Sequence, residues 1–170
     1  MISFDVGGIS FGYRAAGIAI HQEHVLPHRA ITDDFWALPG GRCEAMERSE
    51  DALRREMLEE FSTEVRVERL VWVVENFFRH AGALYHELGL YFRMALPPGS
   101  PLLDVQTPFA GLEGARPLIF QWFPLATLPT LTIYPVFLRG ALQAIPDSVQ
   151  HIVNVEGTAY ESTDGRGTPL

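Results

Sequence analysis

The hydrophobic pattern along the chain changes period several times, and each period predicts an element. Residues 84–94 (LYHELGLYFRM) alternate strictly. His86, Leu88, Leu90, Phe92 and Met94 share one face, and Glu87, Gly89, Tyr91 and Arg93 share the other, which predicts a strand. Residues 65–74 (VRVERLVWVV) predict a second strand ending at Glu75. A connection over 76–83, containing Gly82, joins the two runs as a long hairpin. Upstream, residues 14–20 (RAAGIAI) read as a buried strand of small and branched residues. Residues 21–24 read as a turn, and 25–30 as a short strand carrying Pro27.

One stretch has the helical period. From Ser49 to about Phe61, Leu53, Met57 and Phe61 fall on one stripe at 100° per residue, the stripe that should face a core. Ser49 reads as the N-cap, with Glu50 and Asp51 in the first turn, where carboxylates suit the helix dipole. Glu56, Glu59 and Glu60 fall together on a neighbouring arc. Three carboxylates so placed repel each other by a few tenths of a kcal/mol per pair, about what exposed helices show. Two readings of that arc are open. It is a solvated acidic face stabilised by Arg54 and Arg55, or it is a cradle in which a hard divalent cation turns repulsion into attraction.

Beyond the helix, residues 96–114 are rich in Pro and Gly without a clear period, a length that more often marks a functional loop than a passive connection. Residues 117–124 (PLIFQWFP) predict a strand, 125–128 a helical turn, and 135–145 a helix with Pro at its first position and Pro146 ending it. Residues 151–155 predict a last strand. Residues 1–12 are Gly-rich, an irregular lead-in or a short strand, and 32–35 form a loop. The whole reads as α+β, a mixed sheet of five to seven strands with a helix on each face. One domain over 1–157 is expected, followed by a polar, mobile tail over 158–170.

Composition narrows the function. With 47% apolar and 20% charged residues, the chain has an ordinary globular make-up. No apolar run approaches the roughly 18 residues of a membrane span, and the opening residues, without a basic segment followed by an apolar one, lead us to expect no signal peptide. A single cysteine, Cys43, precludes an internal disulfide and suits a reducing cytoplasm. The net charge of −8 argues against a nucleic-acid polyanion as main partner, and it leaves room for a small phosphorylated substrate. All 13 basic residues are arginine, so any basic phosphate contact must be bidentate-capable Arg. Arg29 is one candidate, with a plain surface arginine as the alternative; Arg14, Arg79 and Arg116 are others. His24 and His28 are four apart, but Pro27 between them argues against a helix aligning them as a metal pair.

The spacing around the helix carries a resemblance. Gly41, five residues, Glu47, seven residues, Arg55-Glu56, then Met57-Leu58-Glu59-Glu60 resembles the Nudix box, GX5EX7REUXEEXGU with U aliphatic. The preceding Trp36-Ala37-Leu38-Pro39-Gly40-Gly41 is similar to the usual lead-in. Ser62 and Thr63 depart from the pattern, standing where Gly and an aliphatic residue are usual. Glycine there supplies a left-handed helix exit, which costs serine more. Val74-Glu75-Asn76-Phe77-Phe78 followed by Tyr85-His86-Glu87 resembles a subgroup of small bacterial Nudix proteins.

The resemblance implies an α/β/α Nudix sandwich and a metal-dependent hydrolase that cleaves a diphosphate linkage by water attack. It implies Mg²⁺ or Mn²⁺ held by Glu56, Glu59 and Glu60 with the Gly40 carbonyl. Glu56 is then a metal ligand or the acceptor of the water proton, and Glu59 and Arg55 belong to the catalytic set, with Arg55 orienting a glutamate. Gly41 and Glu47 are structural, Glu47 pinning the loop through Arg55 or backbone N–H groups. Glu113 and Glu87 are candidates for a further acid outside the box. Phe78, Glu87 and Arg29 are candidates for substrate contact, and Phe35, Phe77, Tyr85 and Phe109 are further aromatics for stacking a base. The substrate implied is a nucleoside diphosphate derivative or nucleoside triphosphate, and family members are often homodimers. Two alternatives stay open: an isomerase on the same fold, and a ligand-sensing domain without catalysis.

Overall fold

The computed structural model describes residues 1–157, so the expectation of a tail over 158–170 lies outside the described residues. Ser3–Val6 (β1) and Ile9–His21 (β2) form a hairpin through Gly7 and Gly8, both at positive φ. The Gly-rich lead-in is therefore strand, continuous with the run expected at 14–20. His24–Val25 (β3), His28–Ala30 (β4), Trp36–Ala37 (β5) and Gly40–Arg42 (β6) follow, then the helix Ser49–Phe61 (α1). Arg66–His80 (β7) and Ala83–Ala95 (β8) pair antiparallel over nearly their whole length. The connection expected at 76–83 shrinks to Ala81 and Gly82, both at positive φ, the geometry of a tight hairpin turn.

The remaining elements are short. The irregular stretch 96–114 contains a 3-10 turn at Pro101–Leu103 and a strand, Phe109–Glu113 (β9), which pairs with Arg116–Phe120 (β10). Phe123–Pro124 (β11), a 3-10 segment at Leu125–Thr130 and Ile133–Tyr134 (β12) follow. The helix expected over 135–145 is only Leu138–Ala141 (α2), and Gly140 inside it explains part of the shortfall. Gln150–Val155 (β13) closes the described chain.

The strands build two mixed sheets rather than one. The larger runs β11-β3-β2-β8-β7-β13, with β1 and β6 also on β2; the smaller runs β12-β5-β4-β10-β9. β2 with β8 and β7 with β13 are parallel, while the β7–β8 hairpin is antiparallel. Apolar residues cover both faces of the large sheet. On one, Ala15 and Ala19 of β2 and Phe92 and Met94 of β8 pack on Ala52, Leu53 and Met57 of α1. Small residues on β2 let the helix approach: a Cβ on Gly17 would stand 3.3 Å from Leu53 Cδ1. On the other face, Ala16, Ile18, Trp72, Val74 and Tyr91 pack on Leu128, Ile133, Leu138 and Leu142. The helix stripe thus faces a core, and α1 and α2 lie on opposite faces of a mixed sheet. Among the described residues no helix is long and apolar enough to cross a membrane.

Candidate active site

The site grows from the two ends of α1. Arg48 takes the N-cap position, one residue before the expected Ser49, and no side chain caps it. Glu50 and Asp51 fill the first turn. At the other end Ser62 adopts the left-handed conformation, φ 54°, and its N–H closes on the Leu58 carbonyl. Serine takes the exit that glycine takes more cheaply.

The loop before α1 is tied to it by one arginine. Arg55 Nε donates to Glu47 Oε1 at 2.8 Å and Nη2 donates to Glu47 Oε2 at 3.0 Å. Nη2 also reaches the Arg42 carbonyl, and the Glu44 N–H donates to Glu47 Oε2 at 2.8 Å. Arg55 Nη1 donates to Glu56 Oε1 at 2.8 Å and to Glu59 Oε2 at 3.3 Å. The hydrogen bonds from Arg55 hold the Glu47 carboxyl below the ordinary carboxylate range. Burial pushes the Glu56 carboxyl up; Arg55 works against that rise, and Glu60 and Glu59 add to it.

The three acids on the arc sit in unequal surroundings. Glu59 is 59% exposed, whereas Glu60 is 3% exposed. The smaller sheet accounts for the difference, because β9 crosses close to the helix end: a Cβ on Gly111 would lie 2.6 Å from the Glu60 carbonyl oxygen. Glu60 Oε2 is buried and accepts no hydrogen bond; His28 Nδ1 stands 3.3 Å away, at ion-pair distance, and likewise makes no hydrogen bond. Glu56 lies across Gly41, where a Cβ would come within 2.2 Å of its carboxyl carbon. Among the described residues no group of three or more His, Cys, Asp or Glu stands close enough together to hold a metal ion as it is. A buried carboxylate oxygen without a hydrogen bond, on a helix face whose three carboxylates are coupled electrostatically through Glu56, is nonetheless an arrangement that a hard divalent cation would relieve.

Arg14 joins this end to a cleft on the other face of the sheet. Its Nη2 donates to the Gly40 carbonyl at 3.2 Å, and its Nη1 lies 3.9 Å from Glu87 Oε2. Burial works against the Arg14 charge, but Glu87, Tyr91, Glu60 and Glu56 more than offset it and raise its pKa. The cleft holds about 840 Å³ and is lined by Arg14, Glu87, Phe78, Phe35, Arg79 and Tyr134, among others. Phe78 stacks on Tyr85 with ring centroids 5.0 Å apart. One wall is a polar chain. Asn154 Nδ2 donates to Asn76 Oδ1 at 2.8 Å and to Glu156 Oε1 at 3.0 Å, and Glu156 Oε1 accepts from the Val136 N–H.

Glu113 and Arg29 lie apart from that cleft. Glu113 stands at the β9–β10 hairpin tip, 58% exposed, 3.6 Å from Arg116 Nη1. Arg29 leans over the Trp36 ring and donates to carbonyls of the loop that follows it, including Ile31. Sequence reasoning passed over His28 as a partner of the box. It had been weighed only against His24, while strand alternation turns its side chain to Phe120 and Glu60. The Asn76–Asn154–Glu156 chain carries no local signal, because Asn76 lies 78 and 80 positions before the other two and meets Asn154 only through β7–β13 pairing.

Residues 13–141 match the NUDIX domain. A NUDIX hydrolase from Nitrosomonas europaea superposes with a TM-score of 0.60 at 18% identity, over 85% of this chain and 79% of that one. An ADP-ribose pyrophosphatase from Streptococcus suis gives 0.56 at 14% identity, over 84% and 98%. A mutator MutT protein from Bacillus halodurans gives 0.55 at 16% identity, over 85% and 90%. No curated protein matches the chain in sequence. At these identities the likeness to solved structures is one of fold, and the family follows from the domain match itself. The chain belongs to the NUDIX domain family and has the fold of its hydrolases.

Proposed function

We propose that this Nudix hydrolase cleaves a diphosphate linkage in a nucleoside diphosphate derivative or nucleoside triphosphate, by water attack and with Mg²⁺ or Mn²⁺ as cofactor. The observation that carries the reading is the buried Glu60 Oε2, which makes no hydrogen bond, on the same helix face as Glu56 and Glu59, with Arg55 bridging those two. Glu56, Glu59, Glu60 and the Gly40 carbonyl would hold the cation. When bound, it neutralises charge on the phosphate oxygens and makes a coordinated water easier to deprotonate.

The chain's own groups do the rest. Arg55 fixes Glu56 Oε1 at 2.8 Å and so orients a carboxylate that either holds the cation or receives the proton of the attacking water. Glu47 holds Arg55 in place. Arg14 sits between the Gly40 carbonyl and Glu87 and supplies positive charge where the cleft meets the box. Phe78 and Glu87 contact the part of the substrate beyond the phosphates, Phe78 by stacking and Glu87 by accepting hydrogen bonds. Glu113, at the tip of the β9–β10 hairpin, is the candidate further acid, whereas Arg29 is engaged by Trp36 and loop carbonyls rather than by the cleft.

The test is product release across nucleotide sugars, ADP-ribose, dinucleoside polyphosphates and nucleoside triphosphates with Mg²⁺ or Mn²⁺. Turnover abolished by EDTA and lowered about 100-fold or more by Glu60→Gln is expected. Ligand binding by thermal shift without turnover of any compound would instead make the chain a sensing domain.

A further inference from the structure

β4 alternates like any strand, so consecutive side chains leave on opposite sides. Arg29 goes to Trp36. His28 goes to the end of α1, where its ring stands 5.2 Å from that of Phe120 and its Nδ1 faces Glu60. Both facing atoms are buried and neither makes a hydrogen bond. The Glu60 side chain is 97% buried. A native structure seldom leaves two such atoms opposed and unsatisfied, because each costs roughly 1–3 kcal/mol.

The separation is that of an ion pair, longer than a direct hydrogen bond. A charge-assisted N–H···O⁻ bond would draw nitrogen and oxygen to about 2.8 Å with the hydrogen on line. Here they stand 3.3 Å apart without hydrogen-bond geometry. Two donors that flank one first-row dication at about 2.1–2.2 Å each, roughly at right angles, are themselves about 3 Å apart. An imidazole nitrogen and a carboxylate oxygen so placed form one edge of a coordination shell.

We propose that His28 Nδ1 is a further donor to the cation bound at Glu60, and that it makes the site prefer a first-row transition-metal dication over Mg²⁺. The proposal rests on the reading of α1 as the metal cradle. Magnesium takes oxygen donors almost exclusively, whereas transition-metal dications accept imidazole nitrogen in the same shell. One nitrogen among oxygens therefore shifts selectivity without excluding magnesium.

Mn²⁺ is the probe, added to the whole chain and followed by pulsed electron paramagnetic resonance. The unmutated protein should show strong echo modulation from a directly coordinated ¹⁴N. His28→Asn, which sets an amide oxygen near the Nδ1 position, should abolish that modulation. It should also weaken Mn²⁺ binding by about tenfold or more while changing Mg²⁺ binding by less than about threefold. Because the unmutated chain decides the first point, a poorly folded variant cannot shield the proposal. If Mn²⁺ binds, Glu60→Gln removes it and no coordinated ¹⁴N appears, the His28 assignment is overturned and the hydrolase reading stands. If Mn²⁺ binding is absent or indifferent to Glu60→Gln, the cradle itself is wrong, and the His28 assignment falls with it.

Discussion

Arg55 grips Glu47 with two parallel hydrogen bonds, 2.8 Å from Nε to Oε1 and 3.0 Å from Nη2 to Oε2, across the loop that precedes α1. The pair is partly shielded, with 17% of the Glu47 side chain and 29% of the Arg55 side chain exposed. Glu47→Gln should lower stability by about 1.5 kcal/mol at neutral pH, since hydrogen bonds to charged groups outweigh neutral ones. That corresponds to a Tm loss of about 3–6 °C for a domain of this size. The pH dependence has a definite sign. The folded Glu47 carboxyl titrates below its ordinary value of 4.5, so its contribution is complete above that value and is lost as pH falls through the folded one. The Tm gap between the two proteins should therefore shrink in melts below about pH 4.

Adjacent glycines in the box should fail in different ways. At Gly40 the φ is +136°, and a Cβ would meet the Ala15 carbonyl oxygen at 2.2 Å, a backbone atom that cannot step aside. Gly40→Ala should cost about 3 kcal/mol and be visible in thermal melts. At Gly41 the obstacle is the Glu56 carboxyl group, the mobile end of a side chain. Gly41→Ala should keep a near-native Tm and lose activity by about 100-fold as Glu56 is displaced. A Gly41→Ala protein with full turnover would show that the position of Glu56 does not matter.

Ser62 sits exposed in the left-handed region at the end of α1. Ser62→Gly removes the steric cost of that conformation but gives the unfolded chain more freedom. The balance should be a gain of about 0.5 kcal/mol, or about 1–2 °C in Tm, with activity unchanged. A loss of stability would mean that the serine side chain earns its place there.

Much of this is legible in the sequence. The stripe Leu53–Met57 appears as buried helix because a period of 3.6 is set by local geometry, and the long hairpin followed from strict alternation over 84–94. The box acids could be placed on one arc, yet their burial could not. Glu60 is enclosed while Glu59 is exposed because β9 and β4 close on one side of the helix end, and that approach is tertiary. The strands near Glu113 were hidden in a Pro- and Gly-rich stretch, since five residues are too few to show a period. Residues 135–145 had a helix-like start and stop, but packing of Leu138 and Leu142 rather than helical length secures that segment. His28 met Glu60 across 32 positions, a pairing that no short-range pattern carries.

In the proposed reaction water attacks phosphorus at the box acids. The most direct measurement is hydrolysis of the best substrate from the panel in H₂¹⁸O, followed by ³¹P nuclear magnetic resonance and compared with Glu60→Gln. One ¹⁸O on a product phosphate, formed about 100-fold or more slowly by a Glu60→Gln protein of native Tm, is the predicted result. Turnover that leaves both phosphates unlabelled, or equal rates in the two proteins, would contradict it.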